Sequence, residues 1–76
     1  MPTLLLKDGF KFFFYANEHE PKHVHVVKGG DFAKIDLSTL RVTSNYLKPH
    51  ELRKALIIAK DHQADFERKW DEWFSR

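Results

Sequence analysis

Three of the five histidines, His19, His23 and His25, fall within the ten residues from Asn17 to Val26. Two of them alternate with valines in His23-Val24-His25-Val26, a run bounded by Pro21 and by Gly29-Gly30. β-Branched residues between such punctuation read as a strand ending in a two-residue hairpin loop. Alternation across a strand puts His23 and His25 on one face and Val24 and Val26 on the other. A loop at Gly29-Gly30 sets Lys28 against Asp31, Val26 against Ala33, His25 against Lys34, Val24 against Ile35 and His23 against Asp36. The valine face is then apolar on both strands, and a slip of one residue would bury Lys34 and Asp36.

Two imidazoles at i and i+2 stand about 6.5–7 Å apart along a strand. That spacing could bracket an RNA phosphodiester, one ring taking the 2′-hydroxyl proton and the other protonating the leaving oxygen. Asp36 would fix the tautomer of His23, and Lys34 would stabilise developing charge. Lys11, Phe13, Tyr15 and Phe32 fall on the same sheet face, the aromatic and basic mixture used to read single-stranded RNA. The plain alternative is a solvated cross-strand ion pair between His23 and Asp36, worth about 0.2–1 kcal/mol.

A metal site ranks below this metal-free reading. His-X-His on a strand is a real ligand arrangement, and Glu18, His19 or Glu20 could add a third donor. Nothing in the sequence fixes the loop that carries them, so no metal ligand is assigned and no cofactor is required. A third class is a non-enzymatic binding or regulatory module using the histidine face or a helix surface. His62 reads as packing.

These residues must be positioned by a small domain. Seventy-six residues bury only about 60–65% of the unfolded surface. The absence of cysteine rules out disulfide or thiolate-metal staples, leaving seven Phe, two Trp and two Tyr to supply the core. The net charge of +2 does not by itself argue for nucleic acid. No apolar run approaches the ~20 residues of a membrane span and no signal-peptide plan is present, so a cytoplasmic protein is expected.

Along the chain, Thr3–Lys7 and Phe10–Tyr15 read as strands joined by an Asp8-Gly9 turn. The expected pairs are Leu5 with Phe12, Thr3 with Phe14, Leu6 with Lys11 and Leu4 with Phe13. A short fifth strand is expected around Leu40–Thr43. From Pro49 the period becomes helical. Leu52, Ala55, Leu56, Ala59, Gln63, Phe66, Trp70, Trp73 and Phe74 fall in one stripe about 100° wide. One unbroken helix over 49–75 would be about 39 Å long, so its end must project or it must bend near Asp61–Asp65.

Ile57 and Ile58 lie off the stripe and suggest a second contact surface, such as a homodimer interface. The helix start carries Arg53 and Lys54 against the macrodipole preference, an arrangement that could hold nucleic-acid phosphate. Exposed charges, which cost little and drift freely, are the preferred explanation.

The expected architecture is therefore α+β. An antiparallel sheet of four or five strands, built from hairpin pairs over 1–44, carries one long C-terminal helix, straight or bent, on one face. Phe10, Phe12, Phe14, Val24, Val26 and Ile35 should meet Leu52, Leu56, Ala59, Phe66 and Trp70 in the core.

Met1-Pro2-Thr3, the run Gly9 to Glu18, Pro21 to Val26, Ala33-Lys34, Leu47 to Leu52 and the Trp70–Phe74 end resemble a family of small bacterial proteins known as domain of unknown function 4160. The resemblance covers essentially the whole chain. Members often carry Ser where this chain has Lys48, so the usual helix N-cap is missing here. The resemblance implies a stand-alone bacterial or phage domain, encoded beside another small domain in a toxin–antitoxin-like pair. It transfers no catalytic residues. The resulting expectation is one component of such a two-protein module, acting on RNA through His23 and His25, with a small partner protein encoded nearby.

Overall fold

A computed structural model of the chain describes residues 3–74. Five strands, β1 (Thr3–Lys7), β2 (Phe10–Phe13), β3 (His23–Lys28), β4 (Asp31–Asp36) and β5 (Val42–Asn45), precede two helices, α1 (Pro49–Asp61) and α2 (Gln63–Phe74). The strands form one antiparallel meander in the order β1-β2-β3-β4-β5. No helix among the described residues is long and apolar enough to cross a membrane.

The central hairpin has the register that its hydrophobic pattern demands. His23 faces Asp36, Val24 faces Ile35, His25 faces Lys34 and Val26 faces Ala33. The first turn has Asp8 at φ 54° and Gly9 at φ 84°. Positive φ at both central residues matches the twist of the flanking strands, which is why Asp-Gly favours a tight hairpin here. The Lys28 ammonium donates to the Asp8 carbonyl at 3.0 Å and lies 4.7 Å from the Phe10 ring centroid, tying the two hairpin ends together.

The outer pairings depart from strict alternation. Leu5–Phe12 and Leu6–Lys11 form as expected, but an irregularity between Thr3 and Leu5 pairs Thr3 with Phe13 rather than Phe14. Leu4 consequently does not pair with Phe13. Strand β2 ends at Phe13, two residues short of Tyr15, because Phe14 leaves the sheet to pack on Trp70 at 5.2 Å and Phe74 at 5.7 Å. Strand β5 starts at Val42, later than the hydrophobic run suggests, after Leu40 adopts φ 61° in the preceding turn.

One sheet face is sealed by the helices. Phe10, Phe12, Phe14, Val24, Val26, Ala33, Ile35 and Leu37 form a continuous core with Leu47, Ala55, Ile58, Ala59, Phe66 and Trp70, and Leu52 and Leu56 pack at its edge. Pro49 opens α1, where its missing N–H costs nothing, and no side chain among the described residues caps the helix at Lys48.

The expected single helix is two. His62, at φ −111° and ψ 13°, leaves the helical region between them. Helices of 13 and 12 residues are each about 20 Å long. They fit a body measuring 36 × 22 × 19 Å, whereas a straight 39 Å rod would overhang it. Gln63, the first residue of α2, donates its side-chain amide to the Leu37 carbonyl at 2.6 Å and fixes the corner to the sheet.

The corner also changes which helix residues are buried. Ile58 is 4% exposed and belongs to the core, whereas Ile57 is 56% exposed, so no two-isoleucine surface exists. Trp73, placed on the buried stripe by the 26-residue average, is exposed. Residue 75, the expected helix end, lies outside the described residues.

Candidate functional site

With helices on one face, the opposite sheet face is open. Cross-strand pairing lays out two rows on it. One runs Leu6, Lys11, Val27, Phe32, and the other runs Phe13, His25, Lys34, Ser44. Tyr15, just past β2, folds back so that its ring meets His25 at 4.6 Å and Phe13 at 5.2 Å, both edge-on. The Phe13 and His25 rings stack at 5.5 Å, and the Lys11 ammonium sits 5.6 Å from the Phe13 centroid. Phe32 pairs with Tyr46 at 4.8 Å. A hollow of about 130 Å³ opens between Phe13, Tyr15, His25, Val27 and Phe32.

The histidines converge on a residue from the loop. Glu18 Oε2 accepts from His25 Nε2 at 2.7 Å and from the Tyr15 amide at 3.3 Å, and Glu18 Oε1 lies 3.0 Å from His23 Nε2. His23 is 6% exposed, its Nδ1 donates to the Pro21 carbonyl at 2.8 Å, and its ring lies 5.1 Å from that of Trp70. The carbonyl can only accept, so the proton of a neutral His23 ring sits on Nδ1 and a lone pair on Nε2. Although Glu18 is close, His23 Nε2 has no partner with hydrogen-bond geometry among the described residues.

The loop is held from α2. Trp70 Nε1 donates to Glu20 Oε2 at 3.0 Å, and the Lys22 ammonium meets Asp71 at 2.9 Å. A second hollow, of about 320 Å³, lies between this loop and the sheet, lined by Asn17, Glu18, His19, His23, Lys34, Asp36 and Thr43. The Glu18–His23–His25 group thus stands between the two hollows, His25 lining one and His23 the other.

Electrostatics follow from the burial. For Glu18, burial opposes ionisation, but contacts with His23, the Tyr15 amide and His25 outweigh it and hold the carboxyl below its ordinary value. For His25, burial pushes the imidazole below its ordinary value, against the opposing pull of Glu18 and with Lys34 adding to it.

The structure brings together some expected residues and separates others. His23, His25 and Lys34 share one face, as do Lys11, Phe13 and Tyr15. Asp36 does not orient His23. Its Oδ1 accepts the amides of Ser38 at 2.8 Å and Thr39 at 3.1 Å, closing the turn after β4, while His23 Nδ1 donates to the Pro21 carbonyl and Glu18, not Asp36, lies nearest Nε2. Arg53 and Lys54 are exposed on α1, in the layer covering the other sheet face, away from the aromatic rows. Glu18 is the residue that strand geometry alone underrated. Its signal was its place five residues before a His-X-His strand, with Pro21 between to turn the chain back.

The family model for a domain of unknown function, DUF4160, matches residues 9–71, from the first turn to the last turns of α2. The chain belongs to this family. The matched DUF4160 span contains every residue of the Glu18–His23–His25 group and of the loop that presents it. No curated protein and no solved structure gives a match.

Proposed function

We propose that this DUF4160 protein is the RNA-acting component of a cytoplasmic, bacterial toxin–antitoxin-like two-protein module. Single-stranded RNA lies across the open sheet face, and the Glu18–His23–His25 group is its reactive centre. The observation that supports this reading is the Phe13–Tyr15–His25 cluster, edged by Lys11 and Lys34, directly beside two histidines joined by one carboxylate. Phe13 is buried within this cluster, and the exposed rings of Tyr15 and Phe32 are the ones that stack on bases, with flanking cations holding the backbone. The convergence of both Nε2 atoms on Glu18 favours one compact centre over two independent imidazoles on either side of a phosphate.

The test is anisotropy of a labelled single-stranded RNA oligonucleotide, with cleavage followed on a gel. Tyr15→Ala and Phe32→Ala should each weaken binding about 5- to 150-fold, the range of one base–aromatic stack. Lys11→Ala and Lys34→Ala should flatten the salt dependence. An Arg53→Ala/Lys54→Ala double variant should bind as wild type. Binding that follows Arg53 and Lys54 instead, or no binding at low salt, overturns the reading. Binding without cleavage, even with Zn²⁺ added, makes the chain a non-enzymatic RNA-binding module.

A further inference from the structure

We propose that Glu18, His23 and His25 form a binding site for a divalent first-row transition-metal ion, of which Zn²⁺ is the type. One donor atom from each residue lies within 4.8 Å of the other two. Three ligands at about 2.1 Å from a tetrahedral ion stand about 3.4 Å apart, so side-chain adjustments of about 1 Å, with the His25 proton passing from Nε2 to Nδ1 or to solvent, close the group on an ion.

The placement of His23 Nε2 carries the argument. Its Nε2 is buried, faces the carboxylate and lacks a hydrogen-bond partner among the described residues. In the neutral ring Pro21 holds the proton on Nδ1, which leaves the Nε2 lone pair facing a carboxylate oxygen that is also electron-rich. Two acceptors 3.0 Å apart in a buried place repel, and an unpaired buried polar atom costs about 1–3 kcal/mol. A cation between them satisfies both. Donation of the second ring nitrogen to a backbone carbonyl is also how metal-bound histidines are commonly oriented and made more basic.

The donor set selects the metal class. Two imidazoles and one carboxylate suit Zn²⁺, Co²⁺ or Fe²⁺, whereas Mg²⁺ and Ca²⁺ prefer oxygen ligands. Three protein ligands leave a position for water or a substrate oxygen, the arrangement of catalytic rather than structural zinc. The ion would stand between the two hollows, where a phosphate oxygen or an attacking water could reach it. This step deepens the RNA reading, but ion binding itself needs no RNA.

The experiment uses the full chain, stripped with chelator and dialysed. Zn²⁺ binding is measured by calorimetry, and Co²⁺ binding by visible absorption. Ring ¹⁵N resonances of the wild-type histidines report the ligands without any substitution. One equivalent should bind, shifting His23 and His25 but leaving His19, His50 and His62 in place. Glu18→Gln and His25→Gln should each weaken binding at least 10-fold, and a His19→Ala control should not. Absence of one-to-one binding, or shifts at His19, His50 or His62 instead, overturns the site. The RNA reading is judged separately, by anisotropy in chelator. Ion binding without RNA binding defeats that reading and leaves this site standing, and RNA binding without ion binding does the converse.

Discussion

The indole of Trp70 donates to the carboxylate of Glu20 at 3.0 Å, joining the last helix to the site loop across fifty positions of sequence. Trp70 is otherwise sealed against Phe14 and His23. One side chain therefore anchors the core, backs a candidate ligand and holds the loop that presents Glu18.

Replacing Trp70 with Phe keeps much of the apolar surface but removes the donor. We expect a loss of about 1–2 kcal/mol in urea unfolding, from the hydrogen bond and imperfect filling of the space. Glu20→Gln retains an acceptor and should cost less. Hydrogen exchange should show the Tyr15 amide, which Glu18 accepts, losing protection in Trp70→Phe before the β3 and β4 amides do.

Neighbouring isoleucines should behave oppositely. Ile58→Ala opens a cavity in the core and should cost about 2–4 kcal/mol, while Ile57→Ala on the exposed side should change stability by less than about 0.5 kcal/mol. Denaturant midpoints of the two variants make the comparison. Equal losses would mean that Ile57 is covered in solution by something outside this chain.

That pair also marks what the sequence could and could not reveal. The His23–Lys28 hairpin was legible because period-2 patterning and Gly29-Gly30 specify one register, and the structure has it pair for pair. The helix was legible as periodicity, and so was most of its buried side, Ala55, Ala59, Phe66 and Trp70, but Ile58 was left off it and Trp73 put on it. A stripe averaged over 26 residues merges two arcs. At about 100° per residue, Ile58 lies about 60° beyond Ala55, on the arc that α1 buries with Ala55 and Ala59, whereas α2 buries the arc of Phe66 and Trp70. The site was half legible. Strand alternation placed His23, His25 and Lys34, but the third member comes from a loop whose path is set by Trp70 and Asp71, fifty residues away. Cross-strand opposition nominated Asp36 for His23 without accounting for the local amides that claim it first.

The start of α2 gives a pH prediction. Asp65 Oδ1 meets Arg68 at 2.6 Å and its Oδ2 meets Lys69 at 3.2 Å, and the Arg68 and Lys69 contacts hold its carboxyl below the ordinary value. A carboxyl depressed in the folded state adds stability above its unfolded pKa, near 3.8, and loses that contribution as pH falls through the folded value. The group is well exposed, so the contribution should be only a few tenths of a kcal/mol at low salt. The stability gap between wild type and Asp65→Asn should therefore be largest near neutrality, narrow below about pH 4 and shrink in high salt. Chemical unfolding across pH 3–7 at two salt concentrations measures it.

Asp36 separates a turn role from a charge role. Its Oδ1 accepts two backbone amides, of Ser38 and Thr39, and the Asp36 carbonyl accepts a third, from Leu40, so this residue organises the β4–β5 connection. Asp36→Ala strands the two amides and should cost about 1 kcal/mol, the scale of a lost cap. Asp36→Asn keeps a neutral oxygen in the same place and should stay within about 0.5 kcal/mol of wild type. Because Pro21 and Glu18, not Asp36, face the ring nitrogens of His23, those ¹⁵N resonances should be unchanged in Asp36→Asn. A shift at His23 in the Asn variant, with stability preserved, would restore Asp36 as an electrostatic partner of that histidine.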